Sequence, residues 1–160
     1  MTIVLEVRNA KRTDVPEVTK IFNQAVELPS AVWRDAPAEE REVIEWFKTK
    51  HSFIIAEGSK GVVGFGSLGP FKPTLGFERT AEISVYVKTS AQGHGVGTAL
   101  VERLIQPKPG LASVIASIDS ENAGSLVLHR KLGFQDAGFF YNIGTKSGES
   151  RDLYMLQRTI

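Results

Sequence analysis

Apolar residues along this chain recur with two periods, and the changes from one to the other mark out its elements. "IVLEVRNA" alternates as a half-buried strand does, and after it Thr13 and Asp14 offer an N-cap. In "DVPEVTKIFNQAV", Val15, Val18, Ile21, Phe22 and Ala25 fall on one helical face. "LPSAVWRDAP" has no period, and "AEEREVIEWFKTK" resumes the helical one with acidic residues in its early turns, where the helix dipole favours them. "SFIIAE" and "GVVGFGSLG" read as a hairpin turned through "GSKG", and a long loop, "PFKPTLGFER", leads to the strand "TAEISVYV". A glycine-rich turn precedes a helix from about Val96 to Ile105. "LASVIASI" is a continuous apolar strand, "ENAGSLVLHRKLG" a helix stopped at Gly133, and "FQDAGFFYNIG" and "SRDLYMLQRTI" are closing strands. The order β-α-α-β-β-β-α-β-α-β-β predicts one α/β (α+β) domain over residues 1–160, a mixed sheet with helices on both sides.

The glycine turn is the feature that asks for an explanation. Gln92-Gly93-His94-Gly95-Val96-Gly97 stands directly ahead of a helix. Two common phosphate motifs fail on spacing. The dinucleotide fingerprint would need glycine or alanine where Thr98 stands, and no Gly-Lys-Ser/Thr follows for a P-loop. What remains is a run of uncovered backbone N–H groups at a helix N-terminus, where about half a positive charge suits a pyrophosphate. A tight strand-to-helix turn that binds nothing fits the same spacing.

The strand before the turn carries the next anomaly. Ala81, Ile83, Val85 and Val87 point one way, and Glu82, Ser84 and Tyr86 the other. A central strand covered on both sides should be apolar on both faces. This one is therefore either an edge strand facing water or the floor of a cleft with a carboxylate in it. Further on, Asn122, Ser125 and His129 are spaced three and four residues apart and share one helical face. Asn122 is also a natural N-cap, and a lone helical histidine commonly just packs.

Composition narrows the function. The chain has 160 residues, 42% hydrophobic and 23% charged, with a net charge of +1 and no basic block, which argues against a nucleic-acid partner. No apolar run reaches the ~18 residues of a membrane span, and "MTIVLEVRNAKRTD" lacks a signal-peptide core. A cytoplasmic protein is expected. Cysteine is absent and the three histidines are scattered, so neither a thiolate nucleophile nor a zinc site is expected.

Gln-x-x-Gly-x-Gly after a strand ending "SVYV", with "NAGSLVLHRKLGF" following, resembles the GNAT superfamily of acetyl-coenzyme A-dependent N-acetyltransferases. The segments "GPFK", "TAEISVYV" and "LHRKLGF" are similar to its phosphinothricin and methionine sulfoximine or sulfone branch. The resemblance covers nearly the whole chain. It implies a mostly antiparallel sheet of about seven strands with about four helices, splayed open between the strands at 80–87 and 111–118. It also implies acetyl-coenzyme A as co-substrate and no metal. Its pyrophosphate would lie on Gln92, Gly93, His94, Gly95, Val96, Gly97 and Thr98, and its pantetheine arm along Val85, Tyr86 and Val87 near Asn122 and Ser125. Glu82 would be the general base that takes the amine proton. His129 would stand where many relatives have a tyrosine that protonates the departing thiolate, or would relay a proton.

With no cysteine nucleophile, direct attack of the amine in a ternary complex is the simpler mechanism. The acceptor is expected to be a small amino-acid-like amine. Arg34, Lys72 and Arg79 are candidates for its anionic groups, and Phe77, with Trp33 and Phe71, for the pocket wall. The methionine sulfone-type relatives tend to have arginine directly after Gly-Phe, where this chain has Glu78 before Arg79. The branch also implies a homodimer. Two alternatives stay open, a peptide or protein acetyltransferase and a non-catalytic acyl-coenzyme A-binding module.

Overall fold

The computed structural model describes residues 4–160, so Ile3, at the start of the first expected strand, lies outside the described residues. The elements are β1 (Glu6–Asn9), α1 (Val15–Val26), α2 (Glu40–Thr49), β2 (Ser52–Gly58), β3 (Gly61–Pro70) and β4 (Thr80–Val87). After these come α3 (Val96–Leu104), β5 (Ser113–Asp119), α4 (Ala123–Lys131), β6 (Gln135–Lys146) and β7 (Glu149–Thr159). They follow the order that the two periods predict. Short 3-10 turns at Arg12–Asp14, Leu75–Phe77 and Thr89–Ala91 were not expected.

One seven-stranded sheet runs in the order β1-β2-β3-β4-β5-β7-β6. Every neighbouring pair is antiparallel except β4 and β5. Each face carries its own core. Leu100, Val101 and Leu104 of α3 pack with Leu68, Ile83, Val114 and Leu156 on one side. On the other, Val18 and Phe22 of α1 and Val43 of α2 pack with Ile55 and Phe65. A fully buried leucine or valine contributes about 1.5–3 kcal/mol, so these two layers hold the helices to the sheet.

Local signals explain most boundaries. Val15, Val18, Ile21, Phe22 and Ala25 of α1 are all buried, as their spacing requires. Glu39 and Glu42 form a capping box at the start of α2. Gly133, at φ 89°, follows α4 in the left-handed region. The expected cap at Asp14 is not formed. Its carboxylate turns back to the Lys11 N–H at 2.7 Å and to the Arg8 guanidinium at 2.9 and 3.0 Å, and α1 begins without a side-chain cap. A nearby cation outcompetes the helix's own N–H groups for an ionised carboxylate.

The parallel pair positions the site. β4 and β5 are in register only at Thr80–Ser113, Ala81–Val114 and Glu82–Ile115. Beyond that point the strands diverge, while β4 keeps β3 as far as Gly64–Val87 and β5 keeps β7 as far as Asp119–Leu153. Each strand is thus held on its outer side, and the divergence gives up only the bonds across the gap.

Candidate active site

The open gap leaves backbone groups in want of partners. Lys88 N–H donates to the Val63 carbonyl at 2.8 Å, and Ala112 N–H donates to the Arg79 carbonyl at 2.8 Å. Even-numbered residues of β4 therefore direct their main chain toward β3 and odd-numbered ones toward β5. The N–H and C=O groups of Val85 and Val87 face the gap, although Gln92 Nε2 already donates to the Val87 carbonyl at 3.3 Å. Tyr86 differs from both. Its main chain turns to β3, and its ring packs against Phe22 and Phe65 at 5.3 and 5.1 Å. Burial pushes its phenol up to about 12, so it remains protonated. A cavity of about 560 Å³ fills the gap, reaching from Gln24 and Leu28 of α1's end to Ser117, Ser125 and His129.

At one end of the cavity is the glycine turn. Gly93 and Gly95 have φ 78° and 83°, a backbone that side-chain-bearing residues avoid, and a Cβ built at either meets nothing within 4 Å. Gly95 is the N-cap of α3 and offers no side chain to the first-turn N–H groups, so they remain available. Gly97 serves a different purpose. A Cβ there would stand 3.0 Å from Leu128 Cδ2, so this glycine lets α3 and α4 approach each other. Val96 is buried in the core, and Thr98 lines the cavity half-buried. His94 is exposed and folds its Nδ1 onto the carbonyl of Gln92 at 2.9 Å, within the turn itself.

The polar face of β4 meets the cavity at Ser84 and Tyr86, and Glu82 stands beside the lining rather than in it. β4 lies fourth of seven in the sheet, which rules out the edge-strand reading of its polar face. Glu82 is half-buried, and Ser117 Oγ donates to its Oε2 at 2.8 Å across the fork where β4 and β5 part. α4 approaches from the opposite face. Asn122 Oδ1 accepts from the Ser125 N–H at 3.2 Å, so its side chain is the cap of α4. His129 is buried, edge-on to Phe134 with ring centroids 5.0 Å apart. Its Nδ1 lies 2.8 Å from the Ser125 carbonyl. A carbonyl only accepts, so Nδ1 carries the hydrogen and Nε2 keeps a lone pair. Burial lowers the pKa of this imidazole, and the bond to Ser125 only partly offsets it. His129 is a neutral proton acceptor at pH 7.

Residues 18–134 match the acetyltransferase (GNAT) family. The chain is 35% identical to an L-methionine sulfoximine/L-methionine sulfone acetyltransferase of Pseudomonas aeruginosa, over 94% of this chain and 92% of that one. The chain belongs to the GNAT acetyltransferases. The acetyltransferase also superposes on a ribosomal-protein-alanine N-acetyltransferase from Brucella melitensis with a TM-score of 0.93, at 34% identity over 97% and 99% of the two chains. A Salmonella typhimurium putative acetyltransferase, solved with acetyl-coenzyme A, gives a TM-score of 0.92 at 32% identity over 97% and 93%.

The residues expected to hold the acceptor are not brought together in the cavity of the acetyltransferase. Arg34 is fully engaged by Glu42, at 3.1 and 3.3 Å, and by the carbonyls of Ala36 and Pro37 at 2.8 and 3.2 Å. Lys72 is exposed with its ammonium 5.5 Å from the Phe71 ring centre, and Phe77 packs edge-on to the same ring at 5.7 Å. Arg79 is exposed beside β4's first residue.

Trp33, expected at the pocket wall, is instead tied to Asp119, which does line the cavity, in a polar cluster with Arg151 that was not expected. Trp33 Nε1 donates to Asp119 Oδ2 at 2.7 Å, and Arg151 donates to both oxygens of Asp119 at 2.8 and 2.7 Å. Lys146, buried, donates to the carbonyls of Val26 at 2.6 Å and of Arg34, pinning the β6–β7 hairpin to the loop after α1. Asp119 closes an apolar strand, a visible oddity in the sequence, but its partner at 151 cannot be paired with it by spacing. Burial pushes the Asp119 carboxyl up, yet Arg151, the Glu121 N–H and Trp33 outweigh it and hold it below its ordinary value. Its folded pKa is thus under the unfolded one. The stabilisation is present above about pH 4 and is lost as pH falls through the folded value. Arg151→Met is expected to lower the Tm by several degrees at pH 7, with the difference from the parent shrinking toward pH 2 in melts across that range.

Proposed function

We propose that this acetyltransferase moves an acetyl group from acetyl-coenzyme A to the amino group of a small amino-acid-like molecule, by direct attack in a ternary complex. The observation that carries the reading is the fork itself. Glu82 stands on one face of the sheet and His129 on the other, with Val85 and Val87 offering main-chain groups between them. The coenzyme, when bound, supplies the thioester. Uncovered N–H groups at 93–97 suit its diphosphate, and the main chain of Val85 suits the amides of its arm.

The chemistry left to the protein is proton handling. An amine of pKa about 8 is only about 10% neutral at pH 7, and a lysine-like one far less. Glu82, its orientation fixed by Ser117, takes the proton as the amine attacks. His129 has no hydrogen at Nε2 to give, so it can protonate the leaving thiolate only after receiving one. A relay fits its tautomer better than an acid does. The P. aeruginosa relative's name supports an amino-acid-like acceptor, and the B. melitensis protein's name keeps a peptide α-amine as the second reading. Phe140, Tyr141 and Ile143, exposed along edge strand β6, support a homodimer.

Thiol release from acetyl-coenzyme A should be measured with L-methionine sulfone, phosphinothricin, ordinary amino acids and alanine-ended peptides. Turnover with the amino-acid analogues is expected. Turnover with peptides alone would establish the second reading, and coenzyme binding without turnover would leave a binding module.

A further inference from the structure

Gly69 of β3 is paired in register with Glu82. Directly opposite residues on an antiparallel pair place their Cβ positions about 4.5–5.5 Å apart on one face. Where a Cβ of Gly69 would stand, the structure has the side chain of Lys50 instead. Its Cδ and Nζ each lie 2.8 Å from that point, so the lysine stem runs flat across the glycine. Lys50 follows the last residue of α2 and is half-buried. It forms no ion pair among the described residues. Glu82 leans the other way, to Ser117 on β5. This face of the sheet therefore carries a cation, the carboxylate and a hydroxyl in a row across β3, β4 and β5, reaching the cavity at Ser117.

A half-buried ammonium held beside a reaction centre and left without a counter-ion is a receptor for an anion. An α-amino acid carries its amine and its carboxylate carbon about 2.5 Å apart, joined through one Cα. That spacing lets the amine meet Glu82 while the carboxylate meets its neighbour. We propose that Lys50 binds the α-carboxylate of the acceptor, and that Gly69 is glycine because the lysine must lie across it. The proposal rests on the amino-acid reading above. It makes Lys50 a determinant of preference for free amino acids over amines without the acid group.

The test compares L-methionine sulfone with its methyl ester, in the full-length parent, Lys50→Met, Lys50→Arg and Gly69→Ala. Lys50→Met is expected to raise the KM for the free acid by about 10–100-fold, with the KM for acetyl-coenzyme A and for the ester unchanged. Lys50→Arg should recover most of the loss. Gly69→Ala, which displaces only the flexible end of a lysine, should raise the acid's KM in the same direction by a few-fold. Equal effects on acid and ester, or no effect on either, would overturn the lysine's role. A parent enzyme that uses the ester as readily as the acid would also overturn it, leaving acetyl transfer intact. Turnover of neither would overturn the amino-acid reading and Lys50's part in it together.

Discussion

Replacing Glu82 by glutamine is expected to lower kcat by about 10²–10⁴-fold, the range for loss of a positioned general base. The amide oxygen can still accept from Ser117 Oγ, which now donates to Oε2 at 2.8 Å, so the side chain should hold its place and lose only its basicity. Without a base, the variant depends on amine that is already neutral. Its rate should climb about tenfold per pH unit below the amine's own pKa, and its deficit against the parent should narrow as pH rises toward that value. The dissociation constant for acetyl-coenzyme A, by calorimetry, should stay within a factor of about two. A variant whose pH–rate profile parallels the parent's would remove Glu82 as the base.

The second large effect belongs to the glycine turn. Gly95→Val places a β-branched residue at φ 83°, where an L side chain is strained by about 1–2 kcal/mol. The valine also stands over the N–H groups at the start of α3. Losing one hydrogen bond to a charged group costs about 1.5–3 kcal/mol, so affinity for acetyl-coenzyme A should fall by about 10–100-fold. The built Cβ meets nothing within 4 Å, so the fold has room for the change and the Tm should fall only by the several degrees that the backbone strain costs. Titration of the variant with acetyl-coenzyme A, beside its melting curve, separates the two effects. Unchanged affinity would mean that the turn holds no phosphate.

What the sequence discloses and what it hides divide along the range of the interaction. The strands, the four helices and the turn at 93–97 are written in local periods and in glycine spacing, and both are properties of a short window. The shared face of Asn122, Ser125 and His129 is legible for the same reason. Asp14 deceived because Arg8, folding back across a turn, took the carboxylate that a helix end would have used. Arg34 looked like a free cation because Glu42, on the next helix, cannot be seen to reach it. Asp119 with Arg151 and Lys146 with the Val26 carbonyl join residues 32 and 120 positions apart, and no spacing rule links such distances. Lys50 was concealed by register. A lysine after a helix is ordinary until Gly69 is known to lie opposite Glu82.

The fork between β4 and β5 also bears on how two substrates would arrive. A cleft with a single mouth makes its ligands take turns, since whichever enters first obstructs the other. Here Glu82 and His129 approach one opening from the two sides of the sheet, so under the proposed ternary mechanism thioester and amine would have separate doorways. High concentrations of either should then fail to compete against the other, and a double-reciprocal plot should show lines that intersect to the left of the ordinate.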